Sequence, residues 1–452
     1  MKILSLTCIS ICSHIGGGGR TGWAEGRCHA SVVPSQKYKE SFHSFSTMQN
    51  PDMTLPIKVV FWTTTFQADI LSLARFMCQD NRFEPLVVVE DKKAFLEEPI
   101  QKLLPVTCPM LDRDDRDTLR QIKAFRPTVS IVDNHFPPRK LSPYLFVLWH
   151  GFGWKGPNDI PEFSTIHKAI KKLTGQSSMS PNPYFLWQCF GPTDLEHRHH
   201  VSGFAQENLA SLGAAFTDEL LQPQIRREDA LQFYPELPAG KKVALIALTW
   251  HYGKAFSHWG DDFEIFTTIL DYLSDRNCAA IIRMHDRKRF DPDYLRQLEA
   301  IVANRDDAII KFKDRDRDSM LDILVSDVMV SNYSSILNYY YATGKPSIHV
   351  YPVTPTAEAF LWRTWKKGKI RVKSVPSAEY VWKLPPEENG GLMVKSLDEL
   401  LAAFDRALDT PECCVESSRI FCERHMAPVD GHTRERICSA IEHLPVSDAV
   451  LP

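Results

Sequence analysis

Apolar residues along this chain fall into short runs and helical stripes that alternate, and the alternation sets the fold expectation. Residues 57–62 are a short apolar, β-branched run and read as a buried strand. Thr63, Thr64 and Thr65 follow as a turn. Residues 68–78 then carry Ile70, Leu71, Leu73, Ala74, Phe76 and Met77 at helical spacing. The pattern continues with a strand at 85–89, a helix at 115–125 and strands at 129–132 and 144–148. Residues 156–192 break it, because several prolines and a Ser/Pro cluster at 177–183 read as a long irregular loop. A second series has strands at 243–248, 278–283, 308–310, 328–330 and 347–350. Helices at 262–274, 294–302, 319–325 and 335–343 separate them, and helical pattern closes the series at 397–408 and 415–444. Strands alternating with helices predict parallel sheets covered on both faces. The expectation is an α/β chain with two doubly wound, Rossmann-like domains facing a cleft. The boundaries read as a first domain at 53–222, a linker at 223–240 with Pro223, Pro235 and Pro238, a second domain at 241–400, and C-terminal helices at 401–452 closing on the cleft. Residues 1–52 read as a disordered extension or a misplaced start, with initiation at Met48 or Met53. The apolar stretch at 3–15 is diluted by Ser, Thr and Cys and lacks a small-residue cleavage site, so it does not read as a secretion signal.

Charge and cysteine content narrow the partners. The net charge of −3 gives no global basic field for nucleic acid, so any anion site has to be local. The 11 cysteines show no repeating CxxC spacing and read as reduced, mostly buried thiols of a cytoplasmic protein. No apolar run reaches the roughly 18 residues that span a bilayer. The basic stretch Lys366, Lys367, Lys369 and Arg371 reads as a solvated loop.

In doubly wound sheets ligands bind at the carboxyl ends of strands, so the chemistry is sought just after them. His150 and Gly151 follow a strand of the first domain, with Lys155 close behind. A histidine there suits a general base at neutral pH, and Lys155 suits a phosphate; a structural turn between Trp149 and Trp154 would use the same residues. Arg283 and His285 alternate directly after a strand of the second domain and share one side of an extended segment, fit for a pyrophosphate. Ser331, Tyr333, Ser334 and Ser335 sit between a strand and a helix start, where backbone N–H groups attract phosphate; N-capping by Ser334 uses the same donors. His251 follows another strand and is placed beside the cleft. Asp314, Asp316 and Asp318 alternate, but Ser319 and Val325 stand where a calcium loop needs Gly and Glu, so Asp318 reads as a helix cap and no metal is assigned. His197, His199 and His200 read as a polar surface cluster.

Taken in order, these residues resemble a known family. The His150-Gly151 pair, Arg283-x-His285, Ser331-x-Tyr333-Ser334-Ser335, the Gly344-Lys345-Pro346 stop and the closing Asp430-Gly431 with Arg436 are similar to the CDP-glycerol glycerophosphotransferases, which extend teichoic-acid-like polymers of the cell envelope. The likeness covers residues 145–440. It implies a glycosyltransferase-B type fold and transfer of a glycerol-phosphate or related alditol-phosphate group from a CDP-linked donor to a polymer or lipid-linked acceptor. It calls for no metal or cofactor and implies a cytoplasmic chain, peripheral on the inner face of the membrane. His150 would be the base, Arg283 and His285 would contact the donor pyrophosphate, and Ser334 and Ser335 would hold a donor phosphate. Asp430 and Arg436 would close the cleft. The chain departs from the family pattern at Asp286, Asn332 and His251 and in the stretch from Gly213 to Asp218. Alternatives of the same architecture are a nucleotide-sugar glycosyltransferase, a UDP-sugar 2-epimerase-like isomerase and a non-catalytic nucleotide-binding protein.

Overall fold

The computed structural model describes residues 55–63, 66–133, 135–149, 151, 153–154, 157–248, 256, 259–287, 290–332, 334–351, 359–366, 369–376 and 383–444. The expectations for residues 1–52 lie outside the described residues.

The first sheet has seven parallel strands: β1 (Ile57–Trp62), β2 (Phe83–Val89), β3 (Met110–Asp112), β4 (Val129–Val132), β5 (Tyr144–Val147), β6 (Phe185–Cys189) and β7 (Leu209–Ser211), in the order β3-β2-β1-β4-β5-β6-β7. Both β4 and β5 are buried along their whole length, as expected of strands with helices on both faces. Those helices are α1 (Ala68–Cys78), α2 (Lys92–Leu96), α3 (Pro99–Leu103), α4 (Thr118–Phe125), α5 (Ile160–Thr174), α6 (Pro192–His200) and α7 (Ala215–Leu221); α8 (Arg227–Leu231) follows and packs on the second domain, with Ala230 in a core shared with Leu321 and Ile323.

The irregular loop expected at 156–192 contains α5 and β6. Pro161 stands in the first turn of α5, where it costs no hydrogen bond, and the Asp159 carboxylate accepts from the Glu162 N–H as the cap. The proline starts this helix; it does not break it. Phe163, Ile170 and Leu173 then bury one face of α5 against β5, β6 and Trp187.

The second sheet holds β8 (Lys242–Ile246), β9 (Cys278–Met284), β10 (Ala308–Phe312), β11 (Val328–Ser331) and β12 (Ser347–Val350). Between them run α9 (Asp262–Asp275), α10 (Pro292–Ala303), α11 (Met320–Val325) and α12 (Ile336–Ala342). Lys366, Lys369 and Arg371 of the basic stretch expected as a loop instead fall in two antiparallel strands, β13 (Ala359–Lys366) and β14 (Lys369–Pro376), which pair with each other in register Lys366 to Lys369; Lys367 lies outside the described residues. A final strand β15 (Leu392–Val394) completes the order β10-β9-β8-β11-β12-β15, again all parallel.

Three C-terminal helices follow: α13 (Leu397–Asp409), α14 (Val415–His425) and α15 (Thr433–Glu442). The first covers the second sheet through Leu400 and Phe404. The last crosses to the first domain, where Ile437, Cys438 and Ile441 share a core with Val59, Phe61 and Leu73. The Asp218 carboxylate accepts from the backbone N–H of Thr433 (3.1 Å) and Arg434 (2.8 Å), so an acid of α7 caps α15 from 215 residues away. One apolar cluster joins the two sheets and contains Trp154, Phe190 and Phe216 beside Leu245, Tyr339 and Phe421. Every described cysteine is a free thiol, and no described helix is long and apolar enough to cross a membrane.

Candidate functional site

A cavity of about 460 Å³ lies between the two sheets, at the carboxyl ends of strands from both. Gln67 and Ala68 after β1, with Trp149, Gly151 and Trp154 after β5, form one wall. Arg283 and His285 at the end of β9, Lys313 after β10, and Ser334, Ser335 and Tyr339 around the start of α12 form the other. The walls meet where Gly151 and Ser335 touch. A Cβ added to Gly151 would lie 2.7 Å from Ser335 Oγ and 2.9 Å from its Cβ, and Gly151 has φ +149°. Only glycine lets the backbone after β5 come this close to the α12 start. Two sequence motifs from different domains thus become neighbours.

On the second wall, Ser335 occupies the position before α12 without a side-chain cap bond, so its hydroxyl is not consumed by the helix. His285 is half-buried, and its Nδ1 accepts from the Asp286 N–H at 2.8 Å. That hydrogen bond assigns the remaining ring proton to Nε2 in the neutral form. Arg283 lines the cavity, but its guanidinium is held from behind. It pairs with Asp322 and donates to the carbonyls of Asp316 (2.8 Å) and Arg317 (3.1 Å). Asp322 also accepts from Lys311 at 2.9 Å and from the Tyr234 hydroxyl. Burial works against the Asp322 charge, yet Lys311 and Arg283 hold the carboxyl below its usual range. Arg317, Glu98, Asp316 and Asp318 act on the same cluster, so the wall carries charges of both signs. The Arg283 guanidinium is thus engaged within the wall and is not a free fork.

Asp69, in the first turn of α1, ties the walls together. Its carboxylate accepts from the Phe216 N–H (2.9 Å) and from the Tyr339 hydroxyl of the second domain. Burial pushes its carboxyl up to about 6. A raised folded-state value means the folded chain holds this proton where the unfolded chain has lost it. Stability from Asp69 is thus present below the ordinary carboxylate range and lost as pH rises toward 6 and above. Between pH 4 and 7 the loss should reach about 2 kcal/mol from this group. Urea unfolding of Asp69→Asn beside the parent, at both pH values, should show the gap between them change by about that amount; an equal gap at both contradicts the assignment.

Several expected residues lie elsewhere. Ser331 is fully buried and donates to the Ala247 carbonyl at 2.6 Å, joining β11 to β8. Arg436 donates to both Asp430 oxygens (2.7 and 2.8 Å), to the Pro428 carbonyl (2.6 Å) and to the Leu212 carbonyl (3.3 Å), which pins the α14–α15 turn to the first domain, away from the cavity lining. His197 is not a surface residue. Its ring is largely buried, and burial with nearby Lys383 and Arg198 pushes it down to about 4. Asp314, Asp316 and Asp318 accept backbone N–H groups of Arg287, Phe312 and Met320 as loop staples. His150, Lys155, His251 and Tyr333 lie outside the described residues. Gln67, Lys313 and Tyr339 were not expected at the site. Lys313 was recoverable, since it follows β10 directly, whereas nothing local marks Tyr339, inside the apolar face of α12.

No protein-family model matches the chain. Among curated proteins it is similar to the teichoic acid ribitol-phosphate polymerase TarK of Staphylococcus aureus (strain NCTC 8325 / PS 47), 26% identical over 249 residues, or 54% of this chain and 42% of that protein. It is also similar to the teichoic acid glycerol-phosphate transferase of the same strain, 23% identical over 268 residues, or 58% of this chain and 59% of that one. The chain spans about half the length of these relatives. Among solved structures, the wall teichoic acid polymerase TagF superposes with a TM-score of 0.60 at 13% identity, covering 85% of this chain and 88% of that one. A TagF variant soaked with CDPG gives 0.61 at 14% identity, covering 86% and 88%. UDP-GlcNAc 2-epimerase from Neisseria meningitidis, bound to UDP-GlcNAc, gives 0.51 at 12% identity, covering 86% and 99%. These structural likenesses establish the glycosyltransferase-B fold.

Proposed function

We propose that this chain, a relative of the teichoic-acid alditol-phosphate transferases, moves an alditol-phosphate group from a CDP-linked donor to a hydroxyl of a cell-surface polymer. The observation that carries the reading is the contact of Gly151 with Ser335. It sets the loop after β5, which bears His150 in sequence, against the α12 start. Donor and acceptor sites on opposite walls would then meet at one point. In the proposed step the acceptor oxygen bonds to the phosphorus that carries the alditol, and the pyrophosphate P–O bond breaks. CMP leaves with the bonding pair, and His150 takes the hydroxyl proton. His285 Nε2–H, Lys313 and the hydroxyls of Ser334 and Ser335 would stabilise charge on the phosphates, and the walls would orient the reactants. The acceptor would be polymeric or lipid-linked, which would bring the chain to the inner face of the membrane as a peripheral protein.

Thermal unfolding with CDP, UDP, GDP and ADP tests the donor side. Ligand at 100 times its dissociation constant adds about 2.7 kcal/mol of stability. CDP alone should raise the melting temperature, and Ser335→Ala or His285→Ala should remove the shift. Stabilisation by UDP or GDP in its place transfers the reading to nucleotide-sugar chemistry, and no stabilisation by any of the four sinks the nucleotide-donor reading.

A further inference from the structure

Behind the opposite wall of the cavity lies a second buried cluster in which two cations face one carboxylate, as Arg283 and Lys311 face Asp322. Lys383 comes from the second domain, between β14 and β15, and its side chain is fully buried. Its ammonium pairs with Asp194 of α6. Its backbone N–H donates to the Trp154 carbonyl at 2.8 Å, and Trp154 lines the cavity. Arg198 stands four residues on in the same helix with Nε 3.4 Å from the same carboxylate, close enough to share its charge although its Nε and Nη1 make no hydrogen bond. The Arg198 guanidinium is packed among Trp149, Phe163 and Trp187 at 4.8 to 5.5 Å from their ring centres, and Trp149 is also a cavity residue.

Asp194 with Arg198 would be a neutral buried pair. Lys383 supplies the side-chain hydrogen bond to Asp194, and it does so with a second buried cation, which costs desolvation that a neutral donor would not. What Lys383 adds is one unit of positive charge behind the tryptophan wall. Coulomb interactions fall off slowly in a medium of low polarity, so this charge acts on groups in the cavity without touching them. We propose that Lys383 is a specificity-determining positioning residue, whose charge, carried behind Trp149 and Trp154, draws a pyrophosphate-class anion toward the first-domain wall. The inference rests on reading the cavity as a nucleoside-diphosphate site.

The charge is conditional on pH. Burial pushes the Lys383 ammonium down to about 8, with Asp194 opposing the shift. The other groups at this spot do not titrate with it. Burial raises the Cys189 thiol well above its ordinary value, burial holds His197 near 4, and burial keeps His425, which pairs with Glu388 beside α6, below the usual histidine range. Anion affinity should therefore fall as pH rises through about 8.

The test is isothermal titration of the full chain with CDP and with inorganic pyrophosphate at pH 7.5 and 9.5, for the parent, Lys383→Met and Lys383→Arg. Lys383→Met leaves Asp194 the Phe190 N–H as donor and the Arg198 charge at 3.4 Å, and should be less stable but folded. It should bind both probes about tenfold more weakly at pH 7.5, converging on the parent at pH 9.5. Lys383→Arg should keep parental affinity at pH 7.5 and hold it at 9.5. Equal affinity of parent and Lys383→Met at pH 7.5 overturns the proposal while leaving the nucleotide reading intact. Should Lys383→Met not fold, a parent whose affinities are the same at both pH values, or the same as those of Lys383→Arg at pH 9.5, overturns it. Pyrophosphate binding without CDP binding sinks the nucleotide reading and keeps the charge assignment, and binding of neither overturns both.

Discussion

Gly151→Ala should lower turnover about a hundredfold while leaving a folded chain. The added Cβ would lie 2.7 Å from Ser335 Oγ and 2.9 Å from Ser335 Cβ, well inside contact distance, and φ +149° is unfavourable for an L side chain. Ser335 Cβ is fixed by the α12 start and cannot swing aside, so either the loop after β5 or α12 must retreat. A displacement of about 1 Å between reacting groups costs on the order of a hundredfold in rate. Stability should fall by no more than about 2 kcal/mol, because the strain is local. Steady-state kinetics on the variant beside the parent check this; if the variant turns over like the parent, the two walls do not need this contact.

The largest expected loss of stability comes from Asp322→Ala. Asp322 is fully buried and is the shared counter-ion of Arg283 and Lys311, whose side chains are 9% and 17% exposed. Removing it leaves two like charges facing each other, and the Tyr234 hydroxyl loses its acceptor. Breaking a buried pair by deleting one partner costs about 3–5 kcal/mol. Urea unfolding should show that loss. Substitution of Arg283 by Met should cost much less, since Lys311 still neutralises Asp322. A small effect of Asp322→Ala contradicts the view that this carboxylate organises the wall.

The strands and helices of both domains were legible where the apolar period was clean. Residues 57–62, 129–132 and 347–350 were expected as strands and are β1, β4 and β12, and residues 68–78 are α1. The period was equally present in α5, at Phe163, Ile170 and Leu173, but Pro161 and the downstream Ser/Pro cluster hid it. The expected helix at 415–444 divides at residues 426–432, where Pro428 removes a donor and Gly431 takes φ +79°. At the site, the strand ends singled out in the sequence carry Arg283, His285, Ser334 and Ser335, and these four line the cavity. Sequence could not show that Asp322, 39 residues on, claims the Arg283 guanidinium, because that pairing is set by how α11 packs against β8 and α8. Nor could it separate Asp430 and Arg436 from the cavity, since their role depends on α15 crossing to the first domain. The stretch from Gly213 to Asp218 departs from the family pattern, yet its last residue, Asp218, caps α15.

The most direct measurement follows both products of one turnover. The chain is incubated with CDP-glycerol labelled in the phosphate that carries the alditol, together with a hydroxyl-bearing polymer acceptor. The account predicts that label enters the polymer and that CMP is released in equal amount. Release of CDP with unlabelled polymer, or no transfer at all in a chain that binds CDP, contradicts it.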